Sequence, residues 1–365
     1  MNPRRTFAVA LTGLAVVGLA ACTTGTTATP SATVATTAPS ASTPPTESKE
    51  LTIVTHDSFA LDKKLIEKFK TESGYSVKFV APGDGGALVT QLVLTKDSPL
   101  GDVVYGIDNT FAGRALAEDV VVPYTPSGLP SSAASLAADA TGRLTPIDLG
   151  DVCVNADKQW FADKKLALPA TLDDLAKPEY KDLLVTENPA SSSTGLGFLV
   201  ATVGAKSDPG YLDYWTALKN NGLKVVKDWE TAYYTDFSGS SGQGPRPLVV
   251  SYSTSPSAEV PKGGTESRTT SLLQTCFRQV EYAGVIAGAK NEVGARKFID
   301  FLLSDAVQAD IPGQMYMYPV KSTVKLPEEW TKYAPLSDQP FTVPADQISA
   351  KRDSWIKAWT AKVLG

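Results

Sequence analysis

Short apolar stretches alternate with helix-like ones in the part of the chain that follows residue 48. Leu51 to Thr55 is rich in β-branched residues, which predicts a strand. Large apolar residues then recur at helical spacing as far as Gly74, where a glycine favours the end of a helix. Asp57 and Ser58 precede this stretch and are candidates for its N-terminal cap. Tyr75 to Val80 alternates again, so the pattern predicts a strand–helix–strand unit.

The same order continues as far as residue 109. A glycine-rich loop, Gly83 to Gly86, opens a second helix, and Asp102 to Tyr105 predicts a third strand. This order predicts an α/β fold with a mostly parallel sheet and helices on both faces. Ligands of such sheets bind beyond the carboxyl ends of the strands. Three loops meet that condition: Asp57-Ser58, Gly83 to Gly86, and Asp108-Asn109.

The later part of the chain carries further strand and helix signals. Leu248 to Val250 predicts a buried strand, and Ser251 to Pro256 the loop at its end. The last predicted helix places Trp355, Trp359 and Val363 on one face at a spacing of four residues. A stripe of this kind predicts core packing and not a ligand site.

The first 48 residues read as a targeting segment followed by a linker. Arg4 and Arg5 precede an uncharged stretch, Phe7 to Ala21, which is typical of a signal peptide (residues 1–21) and short for a membrane span. The stretch ends in Leu19-Ala20-Ala21-Cys22, which resembles the lipobox of bacterial lipoproteins. The resemblance implies an exported protein whose Cys22 carries a lipid that anchors it to the outer face of the cell membrane. An ordinary secretory signal with a chance cysteine is the alternative. Residues 22–48, rich in Thr, Ser, Pro and Ala, predict a disordered linker.

Charge and histidine content exclude several classes of protein. With a formal net charge of −5, the chain lacks the excess of basic residues that is typical of a nucleic-acid-binding protein. With one histidine, His56, the chain cannot form zinc motifs built on several histidines, and a Ser-His-Asp triad has only one candidate base. The sequence contains no G-x-S-x-G motif, so an exported serine hydrolase is only a remote alternative.

Two cysteines remain besides Cys22. Thiols tend to oxidise outside the cytoplasm, so Cys153 and Cys276 predict a disulfide. Two buried free thiols are the alternative.

Eight short segments follow one another across nearly the whole chain beyond residue 48: THDSFA (Thr55–Ala60), GDGG (Gly83–Gly86), DVVYGIDN (Asp102–Asn109), TPIDLG (Thr145–Gly150), STGLGFL (Ser193–Leu199), DWETAY (Asp228–Tyr233), SYSTSP (Ser251–Pro256) and MYPV (Met317–Val320). In this order they resemble the thiamine-binding solute receptors of bacterial ABC transporters, a class that includes ferric-ion and polyamine receptors. The resemblance implies a monomeric binding protein that is not an enzyme, has no cofactor, and delivers thiamine to permease and ATPase subunits.

The family fold is the type II periplasmic-binding-protein fold, in which crossing strands join two α/β lobes and the ligand lies between them. By resemblance, residues 49–149 and 283–316 form the first lobe, and residues 150–282 and 317–365 form the second. The crossings are expected near Asp148 to Cys153, Glu281 to Ala283, and Tyr316 to Pro319.

The resemblance also implies a set of ligand contacts. Asp84 and Ser192 match contact positions of the family, while Trp229 and Tyr252 match aromatic positions of its cleft. Two positions depart from the family: Tyr316 stands where tryptophan is usual, and Ala258 where a stacking tyrosine can stand.

Ligand chemistry supports the same region independently. Thiamine has a cationic thiazolium ring and a flat aminopyrimidine, which favour aromatic faces and a carboxylate. The predicted ligand contacts are Asp57, Asp84, Gly85, Asp108, Ser192, Trp229, Tyr252 and Tyr316. A thiamine phosphate and a related pyrimidine are alternative ligands. For a phosphate ester, the segment Ser191 to Gly195 offers backbone N–H and hydroxyl donors.

Several of these residues have structural alternatives. Asp57 is equally a candidate helix cap, and Asp108 a candidate turn residue. Trp229 and Tyr252 could pack in the core. A ferric-ion receptor of the class would use adjacent tyrosines after the strand Leu248–Val250, where this chain has only Tyr252.

A polyamine receptor is the other member of the class to consider. It would need several carboxylates along the cleft, which Asp57, Asp84, Asp108 and Asp148 could supply.

Overall fold

The computed structural model describes residues 48–365. The predicted signal peptide (1–21), the lipid site at Cys22 and all but the last residue of the predicted linker (22–48) lie outside the described residues. In the described part, the strands are β1 Glu50–Thr55, β2 Ser76–Val80, β3 Val103–Asp108, β4 Val121–Val122, β5 Thr145–Asp157, β6 Leu184–Glu187, β7 Lys224–Val226, β8 Leu248–Tyr252, β9 Thr269–Ile286 and β10 Tyr318–Pro319. The helices are α1 Lys63–Ser73, α2 Gly85–Leu94, α3 Ala112–Ala117, α4 Lys158–Lys164, α5 Leu172–Leu175, α6 Ser193–Lys206, α7 Gly210–Asn220, α8 Ser255–Ala258, α9 Glu292–Leu302, α10 Asp305–Gln314, α11 Trp330–Tyr333 and α12 Ala345–Val363.

The strands form one mixed sheet in the order β2-β1-β3-β9-β5-β8-β6-β7, with β4 beside β9 and β10 beside β5. At one end β1 pairs in parallel with β2 and β3, and at the other β6 pairs in parallel with β7 and β8. The long strands β5 and β9 connect these two parallel groups and run antiparallel to each other. All three predicted crossings contain residues of β5, β9 or β10, whereas the predicted lobe boundaries stay a prediction.

The first helix begins later than the sequence pattern predicts. Its cap is Asp62, whose carboxylate accepts a hydrogen bond from the Lys64 N–H at 2.8 Å, so the prediction that Asp57 and Ser58 cap it is wrong. The end of the helix agrees with the prediction, since Gly74 has a φ of +73° and its N–H donates to the Lys70 carbonyl. The five residues before Asp62 therefore form a loop beyond β1.

The two largest apolar clusters lie against the sheet. One contains Leu51, Ile53 and Val103 from the first parallel group, together with Phe298 and Ile299 of α9. The other is larger and includes the last helix, where the side chains of Trp355, Trp359 and Val363 are buried. The sequence-based interpretation of that stripe as core packing is therefore confirmed.

Cys153 of β5 and Cys276 of β9 form a disulfide in the structure, with a Cα–Cα distance of 4.2 Å. The bridge joins the two long strands and closes a loop of 123 residues. In the chain-entropy model a loop of this length stabilises the folded state by about 5 kcal/mol.

Along residues 48–365, none of the helices combines the length and apolar character that crossing a membrane requires.

Candidate functional site

A cavity of about 260 Å³ lies beside the middle of the sheet. The cavity is surrounded by residues of the β1–α1 loop, the starts of α2 and α6, and the segment after β7. The end of β8, α8, β9 and the segment between α10 and β10 complete its lining. The lining residues that the argument uses are His56, Asp84, Ser193, Trp229, Glu230, Tyr233, Tyr234, Tyr252, Ala258, Glu281 and Tyr316. None of the described residues that line the cavity is a lysine or an arginine.

Three aromatic rings from one short segment line part of the cavity, which we call the aromatic wall: Trp229, Tyr233 and Tyr234. The Trp229 indole stacks on Tyr233 at 5.0 Å and 19°, and Tyr234 meets it edge-on at 5.5 Å. A single π-helical turn, Thr231–Asp236, carries both tyrosines toward the indole. The Trp229 indole N–H donates to the Ser251 hydroxyl at 2.9 Å, so its ring orientation is fixed.

A second group of lining residues, which we call the acidic wall, consists of His56, Asp84 and Glu281. Asp84 is the N-cap of α2, and its carboxylate accepts three backbone N–H groups. The donors are Gly85 at 2.6 Å and Ser193 at 3.1 Å to Oδ1, and Trp229 at 3.1 Å to Oδ2. Asp84 therefore ties together the beginnings of α2 and α6 and the aromatic wall.

Glu281 lies on β9 and is only 4% exposed. Its Oε2 lies 3.7 Å from the His56 Nε2 and accepts a hydrogen bond from the Tyr105 hydroxyl at 2.9 Å. Burial opposes its negative charge, but His56 and these hydrogen bonds prevail and lower the pKa of Glu281.

Asp148, on β5, lies on the other side of the Tyr105 hydroxyl. Burial and the nearby charge of Glu281 raise the pKa of Asp148 well above its usual range. Of these two carboxyl groups, Glu281, beside the cavity, is therefore the one whose anionic form is favoured.

Asp108 lies behind the cavity and is fully buried. Its Oδ1 accepts from the Thr110 N–H at 2.7 Å, which makes it the turn residue of the sequence-based alternative, and its Oδ2 accepts from the Ser193 hydroxyl. Burial raises the pKa of Asp108 to about 6, against the lowering effect of these hydrogen bonds. Asp108 does not line the cavity, but its hydrogen-bond partner Ser193 does.

The predicted ligand contacts divide into two groups. Asp84, Trp229, Tyr252 and Tyr316 line the cavity, as does Ala258. Asp57, Gly85, Asp108 and Ser192 do not. Ser192 is fully buried and caps α6, and a Cβ on Gly85 would lie 2.0 Å from the Ser193 Oγ. These glycine and serine positions permit close approach of α2 and α6.

The ligand contacts predicted from the sequence did not include several residues that line the cavity. Glu281 is in the interior of a long strand, where a lone carboxylate gives no local signal. Tyr233 and Tyr234 follow Trp229 closely in the sequence, and only their unusual π-helical turn brings both to the cavity. His56 directly follows β1 and also lines the cavity.

A family model described as bacterial extracellular solute-binding protein matches residues 98–342. This match covers more than half of the chain. The chain belongs to the bacterial extracellular solute-binding proteins. It is therefore a binding protein that acts outside the cytoplasm with an ABC permease, and not an enzyme.

Curated relatives cover most of the chain. The thiamine-binding periplasmic protein of Escherichia coli (strain K12) is 29% identical over 320 residues, which are 86% of this chain and 93% of the relative. That of Brucella suis biovar 1 (strain 1330) is 28% identical over 327 residues, 87% of this chain and 93% of the relative.

Solved structures agree with the fold. A periplasmic thiamin binding protein matches with a TM-score of 0.75 and 26% identity over 86% of this chain and 96% of its own. A ferric binding protein from Campylobacter jejuni matches with a TM-score of 0.68 and 16% identity over 86% of this chain and 99% of its own, which is evidence for the fold alone. The predicted type II periplasmic-binding-protein fold is thus confirmed.

Proposed function

We propose that this chain captures thiamine and delivers it to an ABC permease. The observation that carries the proposal is a cavity whose lining combines the stacked ring of Trp229 with the carboxylates of Asp84 and Glu281. The flat aminopyrimidine of thiamine suits the aromatic ring, and its cationic thiazolium ring suits the carboxylates. The relatives named above, whose printed names state thiamine binding, support the same ligand.

The charge of the cavity favours free thiamine over a phosphate ester. Asp84, Glu230 and Glu281 line it, without a lysine or arginine among the described lining residues. The Ser193 N–H, which a phosphate at the start of α6 would use, already donates to the Asp84 carboxylate. A phosphate placed there would have to displace a carboxylate and lie among negative charges.

We further infer that closure of residues 49–149 and 283–316 onto residues 150–282 and 317–365 encloses the ligand. Contacts that cross the inferred cleft, such as the bonds of Asp84 to Ser193 and Trp229, would stabilise that closed form. The ligand contacts proposed from the lining are Asp84, Trp229, Tyr252 and Tyr316. The receptor is proposed to act as a monomer, held at the membrane by a lipid on Cys22.

Isothermal titration of the purified full chain with thiamine, thiamine monophosphate, spermidine and ferric citrate tests the ligand. We expect thiamine to bind most tightly and to quench tryptophan fluorescence through Trp229. Tighter binding of spermidine or of iron would assign the chain to the polyamine or ferric branch of its class and overturn the proposal.

The lipid anchor has a separate test. A Cys22→Ser variant should leave the membrane fraction and appear in the soluble extracytoplasmic fraction, with unchanged thiamine affinity. A variant that stays with the membrane would contradict anchoring through Cys22.

A further inference from the structure

The ion pair between His56 and Glu281 lines the cavity, and the thiamine proposal gives a role to Glu281 but none to His56. The His56 Nε2 lies 3.7 Å from the Glu281 Oε2, which is too long for a hydrogen bond. This Nε2 is buried and has no hydrogen-bond partner in the structure. Both side chains nevertheless line the cavity, so a ligand can reach the space between them.

Besides His56, two hydrogen-bond donors favour the anionic form of Glu281. Gln279 donates to its Oε1 at 3.2 Å, and Tyr105 donates to its Oε2 at 2.9 Å. The same Gln279 amide donates to the Tyr252 hydroxyl at 3.0 Å, so the carboxylate and an aromatic lining residue are positioned together. A preorganised carboxylate of this kind suits a cationic group of a ligand.

His56 faces only negative or neutral groups among the described residues around it. Glu281 faces it from β9, Asp84 from the loop before α2, Asp57 from its own loop, and the Tyr105 ring from β3 at 5.6 Å. Burial disfavours the charged ring, but these carboxylates, above all Glu281, outweigh burial and raise the pKa of His56.

The backbone also makes room for the imidazole. Gly106 has a φ of +101°, and a Cβ there would lie 2.3 Å from the His56 Cδ2. The ring is therefore seated tightly on β3, beside Glu281.

We propose that His56 is an internal cation that occupies Glu281 in the empty receptor and gives up its proton when a cationic ligand takes its place. This inference rests on the proposed function, because it requires a ligand with a positive charge. The proton passes from the imidazolium to solvent or buffer, and no covalent bond of the ligand changes. Glu281 is then the anionic contact of the ligand, and His56 makes capture dependent on pH.

The expected linkage has a definite sign. The bound cation replaces the imidazolium as the partner of Glu281, so the pKa of His56 is lower in the complex than in the free protein. Between these two pKa values each bound ligand releases one proton, and affinity rises by up to about tenfold per pH unit. Above both pKa values of His56, the affinity for the ligand no longer changes with pH through this residue.

The experiment uses the fact that His56 is the only histidine of the chain. In the full chain without a polyhistidine tag, the imidazole Cε1–H resonance reports on His56 alone. It is followed by NMR between about pH 5 and 9, with and without thiamine. We expect its pKa to fall on binding. An unchanged or raised pKa, in a protein that does bind thiamine, would overturn the inference and leave the proposed function intact.

Calorimetry supplies the second measurement. Titrations in two buffers of different ionisation enthalpy give the protons released per thiamine by the wild type and by His56→Gln. Proton release by His56→Gln measures any proton that thiamine or other groups exchange. The difference between the wild type and this variant therefore gives the protons released by His56. We expect His56→Gln to release fewer protons and to bind more tightly than the wild type at low pH. Equal release by both proteins would contradict the exchange, and absence of thiamine binding would instead refute the proposed function.

Discussion

The two walls of the cavity are built in different ways. The aromatic wall comes from one short segment, and its rings contact one another directly. The acidic wall gathers His56, Asp84 and Glu281 from three distant parts of the chain, and each group depends on partners elsewhere in the sheet. We infer that the aromatic wall supplies most of the contact area, while the acidic wall sets which charge the ligand carries.

The largest expected effect comes from the aromatic wall. Trp229→Ala removes the stacking face and the hydrogen bond to Ser251. We expect thiamine affinity to fall by about 100-fold, or about 3 kcal/mol, as measured by calorimetry, with loss of most of the fluorescence quenching. Trp160→Phe is the matched control, because Trp160 packs on Phe161 of α4 and does not line the cavity. A Trp229→Ala variant that binds within about threefold of the wild type would remove the aromatic wall from recognition.

The next effect concerns stability behind the acidic wall. Burial raises the pKa of Asp108 to about 6, whereas an aspartate in an unfolded chain ionises near pH 4. Between these values the folded state holds a proton that the unfolded state has lost, so stability falls as pH rises through this window and stays lower above it. Asp108→Asn cannot ionise and should lose this dependence, with a difference that approaches about 3 kcal/mol at neutral pH.

Thermal unfolding of Asp108→Asn and the wild type across this range measures the difference. The exposed Asp97 gives the control variant, Asp97→Asn, which should follow the wild type. Parallel pH curves for Asp108→Asn and the wild type would mean that Asp108 ionises over the same pH range in the folded and the unfolded chain.

A smaller effect separates the two carboxylates of the acidic wall. The sequence suggested Asp84 as the charge partner of the ligand, but both of its oxygens accept backbone N–H groups. In Asp84→Asn an amide N–H must face one of these donors, so we expect about tenfold weaker binding of thiamine and of a neutral pyrimidine fragment alike. Glu281→Gln, by contrast, should weaken thiamine and spare the fragment. Loss confined to the cation in Asp84→Asn would assign charge balance to Asp84 instead.

Sequence patterns correctly predicted the features that depend on residues close together in the chain. The strands β1 to β3, the helix end at Gly74 and the packing of Trp359 follow from periodicity and from one glycine. The start of α1 was not predicted. Asp57 and Asp62 are the same residue type and are equally suitable as N-caps, so the sequence pattern does not distinguish between them.

The site shows the same limit. Trp229 and Asp84 belong to segments that resemble a known family, and both line the cavity. Glu281 has no such mark, because its importance arises from pairing with His56 and Tyr105 across the sheet. Spacing along the sequence does not reveal contacts between residues that are so far apart in the chain.

The smallest expected effect is a gain on the aromatic side. Ala258 lines the cavity with an exposed methyl group, at a position where the resemblance implies that a stacking tyrosine can stand. Ala258→Tyr adds an aromatic face opposite a cationic ligand, and we expect about threefold to tenfold tighter thiamine binding by calorimetry. Ala258→Leu fills similar space without a π face and should leave affinity nearly unchanged. If leucine gains as much as tyrosine, the added contact acts through apolar burial, and the charge of the ligand is recognised by the acidic wall alone.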